Sequence, residues 1–121
     1  MVKYFTPEEV SVHNSADDCW VSIFKNIFDL TELLKENRGE LALPLIAAAG
    51  TSISHWFNEK SGDVRTYVDP EKNITLPYTP YGRFIHVPPS DPRDRSPVVS
   101  LPWWRNKDYI VGQVYSIEMK N

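Results

Sequence analysis

Three histidines could do chemistry in this sequence, and His55 has the most informative surroundings. It lies in the stretch AAAGTSISHWF at residues 47–57, after small residues and directly before two bulky aromatics. A neutral imidazole can ligate a metal, but a histidine in such a setting more often makes one satisfied hydrogen bond. Both interpretations of His55 therefore stay open: a half-buried hydrogen-bonded residue, or a metal ligand in an apolar pocket.

The other two histidines differ in how well they suit a metal. His86 lies in RFIHV at residues 83–87, where alternation predicts a strand with Phe84 and His86 on one face. It could bond a nearby carbonyl, or it could be a second metal ligand brought from a separate segment. His13 stands at the predicted end of a short helix, where a cation or a hydrogen-bond donor explains it more simply.

The first thirty residues predict a capped helix followed by a hairpin. The letters TPEE at residues 6–9 are typical of a helix start, with Thr6 as the cap and Glu9 completing a capping box. Residues 20–24 and 27–28 are rich in β-forming side chains and are separated by a two-residue turn. These elements would form the support on which the histidine segments pack.

The elements next to His55 are predicted to be helical. Leucines give residues 29–34 an apolar helix face, and residues 41–49 are apolar enough to form a core helix. Gly50 can take the left-handed conformation that ends this second helix. A hydroxyl at residues 51–52 would then cap the short helix that carries His55.

The remaining residues predict a hairpin, an extended arm and a last strand. Residues 64–76 are typical of a hairpin, and the many prolines in residues 77–102 disfavour regular structure. Trp103 and Trp104 either clamp this arm onto the core or, if exposed, form a partner-binding spot; we favour the clamp. The tail from Tyr109 is predicted to be a strand bent at its glycine.

Composition narrows the class of protein. A chain of 121 residues with 41% hydrophobic and 24% charged residues suits one globular domain with extensions. The net charge of -3 is mild and mixed along the chain, so we expect neither a nucleic-acid partner nor binding to an anionic membrane. The sequence has no apolar run long enough to span a bilayer, and its amino terminus lacks a signal-peptide core, so we expect a cytosolic protein.

Four ordered motifs point to a family. The segments YFTPEEV, HN, DCWV and IFDLT, at residues 4–10, 13–14, 18–21 and 27–31, together resemble the opening third of a cytochrome b5-like haem-binding domain. The resemblance implies an α+β fold in which a small mixed sheet carries two helical hairpins that hold haem b between two histidines. We expect this domain at residues 1–76, a proline-rich extended arm at 77–108, and a strand at 109–121.

The positions of the family's iron ligands have no histidine in this sequence. The first ligand normally stands in a His-Pro-Gly-Gly loop, which corresponds here to NRGE at residues 37–40. The second would fall in residues 58–63, which also contain no histidine. If haem b binds, the resemblance therefore leaves His55 and His86 as the candidate axial ligands of the iron.

Later motifs resemble the ciliary members of this family more particularly. They are ISHWF at residues 53–57, GRF at 82–84, HVPP at 86–89 and PWW at 102–104. This resemblance implies an axonemal protein associated with radial spoke proteins and with the regulation of ciliary beating. It also implies a ubiquitin-like region after the domain, for which residues 109–121 would be the first strand.

The sequence is compatible with three functions. The leading hypothesis is a non-enzymatic haem-binding module, in which two imidazoles saturate the iron and favour redox sensing over oxygen chemistry. The alternative is a cofactor-free structural interaction module of the axoneme, and a small-molecule or steroid-binding member is a third possibility. The sequence has no nucleophile elbow, phosphate loop or zinc spacing, so we expect no enzymatic activity.

Overall fold

The computed structural model describes residues 3–88 and 101–115, which form a mixed sheet with short helices packed on it. In chain order the strands are β1 Tyr4–Phe5, β2 Asn14–Ser15, β3 Asp18–Ile23, β4 Asn26–Asp29, β5 Thr66–Asp69, β6 Ile74–Pro77 and β7 Ile110–Val114. The α-helices are α1 Pro7–Ser11, α2 Thr31–Glu36 and α3 Leu43–Ala47. Short 3₁₀ helices span Glu40–Ala42, Ser54–Trp56, Trp103–Arg105 and Lys107–Tyr109.

Local signals in the sequence account for the early elements. Thr6 Oγ1 accepts a hydrogen bond from the Glu9 N–H at 3.2 Å, and Glu9 Oε1 accepts from the Thr6 N–H at 3.1 Å, which confirms the capping box. Strands β3 and β4 pair antiparallel, as the hairpin pattern predicted, but the two-residue turn falls at Phe24 and Lys25, one residue earlier than expected. Strands β5 and β6 form the second predicted hairpin, with Thr66 opposite Pro77.

Strand β7 lies in the interior of the sheet. The strand order is β1-β7-β4-β3-β2, with β7 parallel to β1 and antiparallel to β4. Residues 110–114 therefore belong to the same sheet as the strands within residues 4–29. The expected domain boundary at residue 76 separates strands that pair with each other in this sheet. The expected ubiquitin-like region, with residues 109–121 as its first strand, stays a prediction.

The buried core joins the sheet, the helices and two later segments of the chain. Leu33 and Leu34 of α2 and Leu45 of α3 are at most 4% exposed and face the sheet. The later segments, residues 84–87 and 101–110, add four further buried side chains to the same cluster: Phe84, Ile85, Val87 and Trp103. The arm therefore packs on the core where it is described, while the proline-rich residues 89–100 lie outside the described part.

Two local predictions were wrong. Residues 83–87 do not form a strand, because His86 has a φ of 76° and the Val87 N–H bonds the Phe84 carbonyl at 3.1 Å, which makes a turn and removes the alternation of faces. The segment carrying His55 is a single 3₁₀ turn without a side-chain cap. Of the two hydroxyls expected as caps, Thr51 Oγ1 donates to the Ala48 carbonyl, and Ser52 Oγ accepts from the Ser54 N–H only at 3.5 Å.

Replacing Gly50 with alanine should destabilise the chain more than the same change at Gly62. Both glycines have a left-handed φ, 81° and 74°, which costs an alanine about 1–2 kcal/mol. At Gly50 a Cβ would also lie 2.9 Å from the Ser11 carbonyl oxygen, whereas nothing lies within 4 Å at Gly62. Urea unfolding of both variants measures the difference, and equal losses of stability would contradict the close approach at Gly50.

Candidate functional site

His55 lies exposed at the mouth of an apolar cavity. The cavity has a volume of about 360 Å³ and lies between α3 and the 3₁₀ turn Ser54–Trp56. Its lining contains no aspartate, glutamate, lysine or arginine and consists of Pro44, Ala47, Ala48, Thr51, Ile53, His55, Trp56 and Tyr81. A volume of this size lies within the range typical of small-molecule sites, although a cavity alone does not identify its ligand.

The His55 ring is held by aromatic packing and not by hydrogen bonds. Its centroid lies 6.1 Å from the Trp56 ring and 6.1 Å from the Tyr81 ring, edge-on in both cases. Trp56 and Tyr81 stack on each other at 6.0 Å. Within residues 3–88 and 101–115, no hydrogen bond or ion pair engages either His55 nitrogen. The imidazole is therefore oriented by its neighbours while both nitrogens remain available to a ligand.

The indole of Trp56 carries an unsatisfied polar group beside this cavity. Trp56 is 7% exposed, and its Nε1 has no hydrogen-bond partner among the described residues. A buried donor without a partner costs about 1–3 kcal/mol. The core beside His55 therefore contains a buried side-chain donor without a hydrogen bond among the described residues.

His86 is half-buried and already engaged. Its Nδ1 accepts a hydrogen bond from the Trp103 N–H at 2.9 Å, and burial lowers the pKa of the ring, so the neutral form is favoured. A neutral imidazole with an accepting Nδ1 carries its proton on Nε2. In this arrangement neither nitrogen of His86 offers a lone pair to a metal. Of the two predicted ligands, His55 has an unengaged ring among the described residues, whereas the His86 Nδ1 is already occupied by the Trp103 N–H.

The two predicted ligands do not share a cavity in the described part of the chain. His86 is not among the residues that line the cavity at His55, and no ring contact or hydrogen bond joins the two. No group of three or more histidine, cysteine, aspartate or glutamate side chains suited to a metal ion occurs among the described residues. The joint ligation of iron by His55 and His86 stays a prediction.

The loop at residues 37–40 borders a second cavity. This cavity has a volume of about 560 Å³, an apolar floor and a rim of mixed charge, and contains no histidine. Gly39 has a φ of 139° with nothing within 4 Å of a Cβ position. The rim carries Asp17, Lys35, Arg38 and Glu40. This arrangement offers no nitrogen ligand for iron from this side.

A clamp closes the arm on the loop after the His55 turn. Arg105 donates from Nε to Asp63 Oδ1 at 2.7 Å and from a terminal nitrogen to Oδ2 at 2.6 Å, and Trp104 Nε1 donates to Oδ1 at 3.2 Å. The Arg105 hydrogen bonds hold the pKa of the Asp63 carboxyl below its usual value. The tryptophan pair therefore packs against the domain and is not an exposed partner-binding spot, while the clamping of a proline-rich arm stays a prediction. No sequence signal links Asp63 to Arg105, which stands 42 residues later.

His13 has a structural role. Its Nδ1 lies 2.7 Å from Asp18 Oδ1, and its ring stacks on Trp20 with centroids 3.7 Å apart. The Trp20 N–H also donates to the His13 carbonyl at 3.0 Å. These contacts fix the entry into β3 and occupy the Nδ1 of His13.

Cys19 should resist alkylation in the folded chain. Its side chain is fully buried, and burial, with a smaller effect from Asp29 and Asp18, raises the pKa of the thiol to about 12. The reactive thiolate is therefore scarce at neutral pH. We expect iodoacetamide to label Cys19 at pH 8 only in denaturant, as measured by mass spectrometry. Rapid labelling under native conditions would show that the β3 core opens locally.

Comparison with known proteins identifies the fold. The family model described as "Cytochrome b5-like Heme/Steroid binding domain" matches residues 6–115, nearly the whole described range. The chain belongs to the cytochrome b5-like family. It is thus a domain of the haem-binding cytochrome b5 type, with the α+β fold expected from its motifs. The match ends at residue 115, so it includes β7.

The curated relatives are longer proteins. Cytochrome b5 domain-containing protein 1 of Xenopus laevis is 46% identical over 112 residues, which cover 91% of this chain and 52% of that protein. The human protein of the same name is 44% identical over 114 residues, covering 93% and 50%. The chain therefore spans about half the length of these relatives. Among solved structures, cytochrome b558 of Ectothiorhodospira vacuolata covers 93% of this chain at 18% identity, with a TM-score of 0.49.

None of the helices in the described ranges is both long and apolar enough to cross a membrane.

Proposed function

We propose that this chain is a non-enzymatic haem-binding module of the cytochrome b5 type, in which His55 is an axial ligand of haem b. The observation that carries the proposal is the state of His55: an exposed imidazole with both nitrogens unengaged among the described residues, at an apolar cavity. Family membership supports haem as the ligand. A bound haem would supply reversible one-electron chemistry at its iron.

The residues around His55 suit a flat apolar ligand. Ile53 and the alanines of α3 provide wall surface without charge, and Tyr81 is 66% exposed, so its ring can move without unpacking the core. The buried Trp56 ring packs edge-on against the imidazole and limits its orientation. The chain's own contribution is therefore to orient one nitrogen ligand and to exclude water from one side of it.

The direct test is an absorption spectrum. Purified chain should be titrated with haemin, and the Soret region followed in the oxidised and reduced states. We expect a saturable one-to-one complex with a sharpened Soret band. A chain that takes up no haemin across the range where family members bind would overturn the proposal. Myoglobin apoprotein provides a positive control for haemin quality.

The cellular part of the proposal is more specific. We propose that the full protein acts in the ciliary axoneme with radial spoke proteins, where the module senses redox state or regulates beating. The support is the similarity to cytochrome b5 domain-containing protein 1 together with the ciliary motifs of the sequence. Imaging of a tagged full-length protein in ciliated cells tests this, and its absence from the axoneme would contradict it.

One observation favours a second candidate function, a cofactor-free structural interaction module. Phe57, Phe84 and Trp103 are at most 1% exposed and contact one another with centroids 6.1–6.2 Å apart, so no ligand fits between them as they lie. Their dense packing would suit a permanently closed domain. If both His55→Ala and His86→Ala leave the protein's binding to its partners intact while haemin fails to bind, this second function is preferred.

A further inference from the structure

A third cavity lies on the face of the sheet that is turned away from the main core. Val21 and Ile23 of β3 belong to the core cluster, so alternation along the strand directs Ser22, between them, to the opposite face. Helix α1 lies on that side, and the cavity there has a volume of about 260 Å³. It is distinct from the cavity at His55, with which it shares Thr51.

The lining of this cavity combines apolar side chains with hydroxyl groups. Among the described residues it contains no charged side chain and consists of Pro7, Val10, Ser22, Phe24, Gly50, Thr51, Ser52 and Val114. A carboxylate or an ammonium group would find no partner of opposite charge in it, and burying such a group unpaired is costly. The lining therefore suits an uncharged ligand that presents an apolar surface and a hydrogen-bonding group.

Ser22 provides a hydrogen-bonding group that the protein itself leaves unused. The residue is 6% exposed, and no hydrogen bond engages its hydroxyl among the described residues. The fully enclosed side-chain donor without a partner in that part of the chain is Trp56 Nε1, so Ser22 Oγ has access to the cavity that it borders. Because an unpaired buried hydroxyl is unfavourable, a ligand atom that bonds Ser22 Oγ would satisfy it.

The other two hydroxyls of the lining are already engaged. Thr51 Oγ1 donates to the Ala48 carbonyl, and Ser52 Oγ lies 3.1 Å from Ser54 Oγ, within hydrogen-bond distance. A sugar or another polyol needs several free partners, and this cavity offers one. The hydrogen-bonding pattern therefore indicates a ligand with a single polar group on an otherwise apolar body.

Phe24 supplies an aromatic surface at the cavity and is held there in an uncommon backbone conformation. Its φ is 55°, an outlier for a bulky residue, and its N–H donates to Ser54 Oγ at 2.6 Å. Residues in such strained conformations cluster at ligand-binding and switch sites. An aromatic ring at the cavity favours an aromatic ligand, because offset or edge-on ring pairs add to the apolar contact.

We propose that this cavity binds a small uncharged phenol, with its hydroxyl on Ser22 Oγ and its ring against Phe24. The remaining contacts would come from the apolar side chains of α1 and β7, which are Pro7, Val10 and Val114. A phenol is uncharged at neutral pH, because its pKa is about 10. The volume lies just below the range of about 300–1,000 Å³ typical of drug-sized ligands, which fits a molecule with one ring.

Titration with three single-ring probes tests the ligand class on the unsubstituted chain. p-Cresol carries the ring and the hydroxyl, toluene lacks the hydroxyl, and para-hydroxybenzoate adds a carboxylate. We expect p-cresol to bind about fivefold more tightly than toluene, because it gains one hydrogen bond, and more tightly than para-hydroxybenzoate. Amide chemical shifts of isotope-labelled protein measure the affinities by NMR. The shifts should concentrate at Gly50, Ser52 and Val114.

Ser22→Ala and Ser52→Ala form a matched pair, since each removes one hydroxyl that borders the cavity. Ser22→Ala breaks no hydrogen bond to a described residue, so it should not lower the unfolding temperature. It should reduce the ratio of p-cresol to toluene affinity from about five to about one. Ser52→Ala should keep the ratio, because the hydroxyl that it removes is engaged with Ser54. Phe24→Leu should weaken both probes by about threefold and leave their ratio unchanged.

Equal affinity of the unsubstituted chain for p-cresol and toluene would overturn the proposal without any variant. A Ser22→Ala chain that keeps the preference for p-cresol would overturn it too. So would chemical shifts centred on the exposed Tyr67 and Tyr78 of the β5–β6 region and not on the cavity. These outcomes are independent of haem binding at His55, which the haemin titration tests separately.

Discussion

Replacing Trp103 with alanine should lower the free energy of unfolding by about 3–5 kcal/mol, the usual cost of removing a large buried aromatic side chain. The indole is fully buried and makes edge-on or tilted contacts with Phe28, Phe57 and Phe84 at centroid distances of 5.7–6.2 Å. Its removal would leave a cavity at the centre of the cluster. The Ile85 carbonyl would also lose its donor. Chemical denaturation followed by far-UV circular dichroism measures the loss.

Two further variants distinguish the packing of the Trp103 ring from its Nε1 hydrogen bond, and a buried side chain from an exposed one nearby. Trp103→Phe keeps an aromatic ring but removes the Nε1 donor, so we expect a smaller loss, about 1–3 kcal/mol, because the Ile85 carbonyl becomes unsatisfied. Leu101 lies two residues before Trp103 but is 54% exposed, so Leu101→Ala should change stability by less than about 0.5 kcal/mol. If Trp103→Ala proves as mild as Leu101→Ala, the Trp103 side chain does not pack in the core as described.

Elements specified by neighbouring residues could be predicted from the sequence. The capping box at Thr6 and Glu9, the hairpin of β3 and β4, and the left-handed Gly50 each follow from side chains within a few positions. The motifs shared with the cytochrome b5-like family lie in this same half of the chain. Local propensity and family pattern agree there, which is why the fold class could be inferred correctly.

Features set by distant residues could not be predicted. The parallel pairing of β1 with β7 joins Tyr4 to Gln113, and no local pattern at residue 113 indicates that partner. Alternation in residues 83–87 favoured a strand, but the Trp103 N–H and the fit of Phe84, Ile85 and Val87 into the core determine a turn instead. Tertiary contacts outweighed β propensity at this point. The hydrogen bond that occupies His86 could not be predicted for the same reason, because its donor is the N–H of Trp103, 17 residues later.

His55→Ala should abolish the low-spin haemin complex, because no other described histidine combines an unengaged ring with an apolar cavity. His13 is bonded to Asp18 and stacked on Trp20, so it is unavailable as a substitute. The loss of one strong nitrogen ligand should weaken haemin binding by at least about tenfold, the effect of about 1.4 kcal/mol. Absorption titration and the shape of the Soret band measure both effects.

The His55→Ala substitution should leave the fold intact, so a changed haemin spectrum would report the loss of a ligand and not unfolding. His55 is exposed, and no hydrogen bond to a described residue depends on its ring, so its removal should change the free energy of unfolding by less than about 0.5 kcal/mol. His13→Ala is the matched control: it breaks the Asp18 and Trp20 contacts and should cost stability without altering the haemin spectrum. If the two variants exchange these outcomes, with His13 controlling the spectrum and His55 the stability, then the ligand lies at the β3 end of the sheet and the cavity beside α3 is not the haem site.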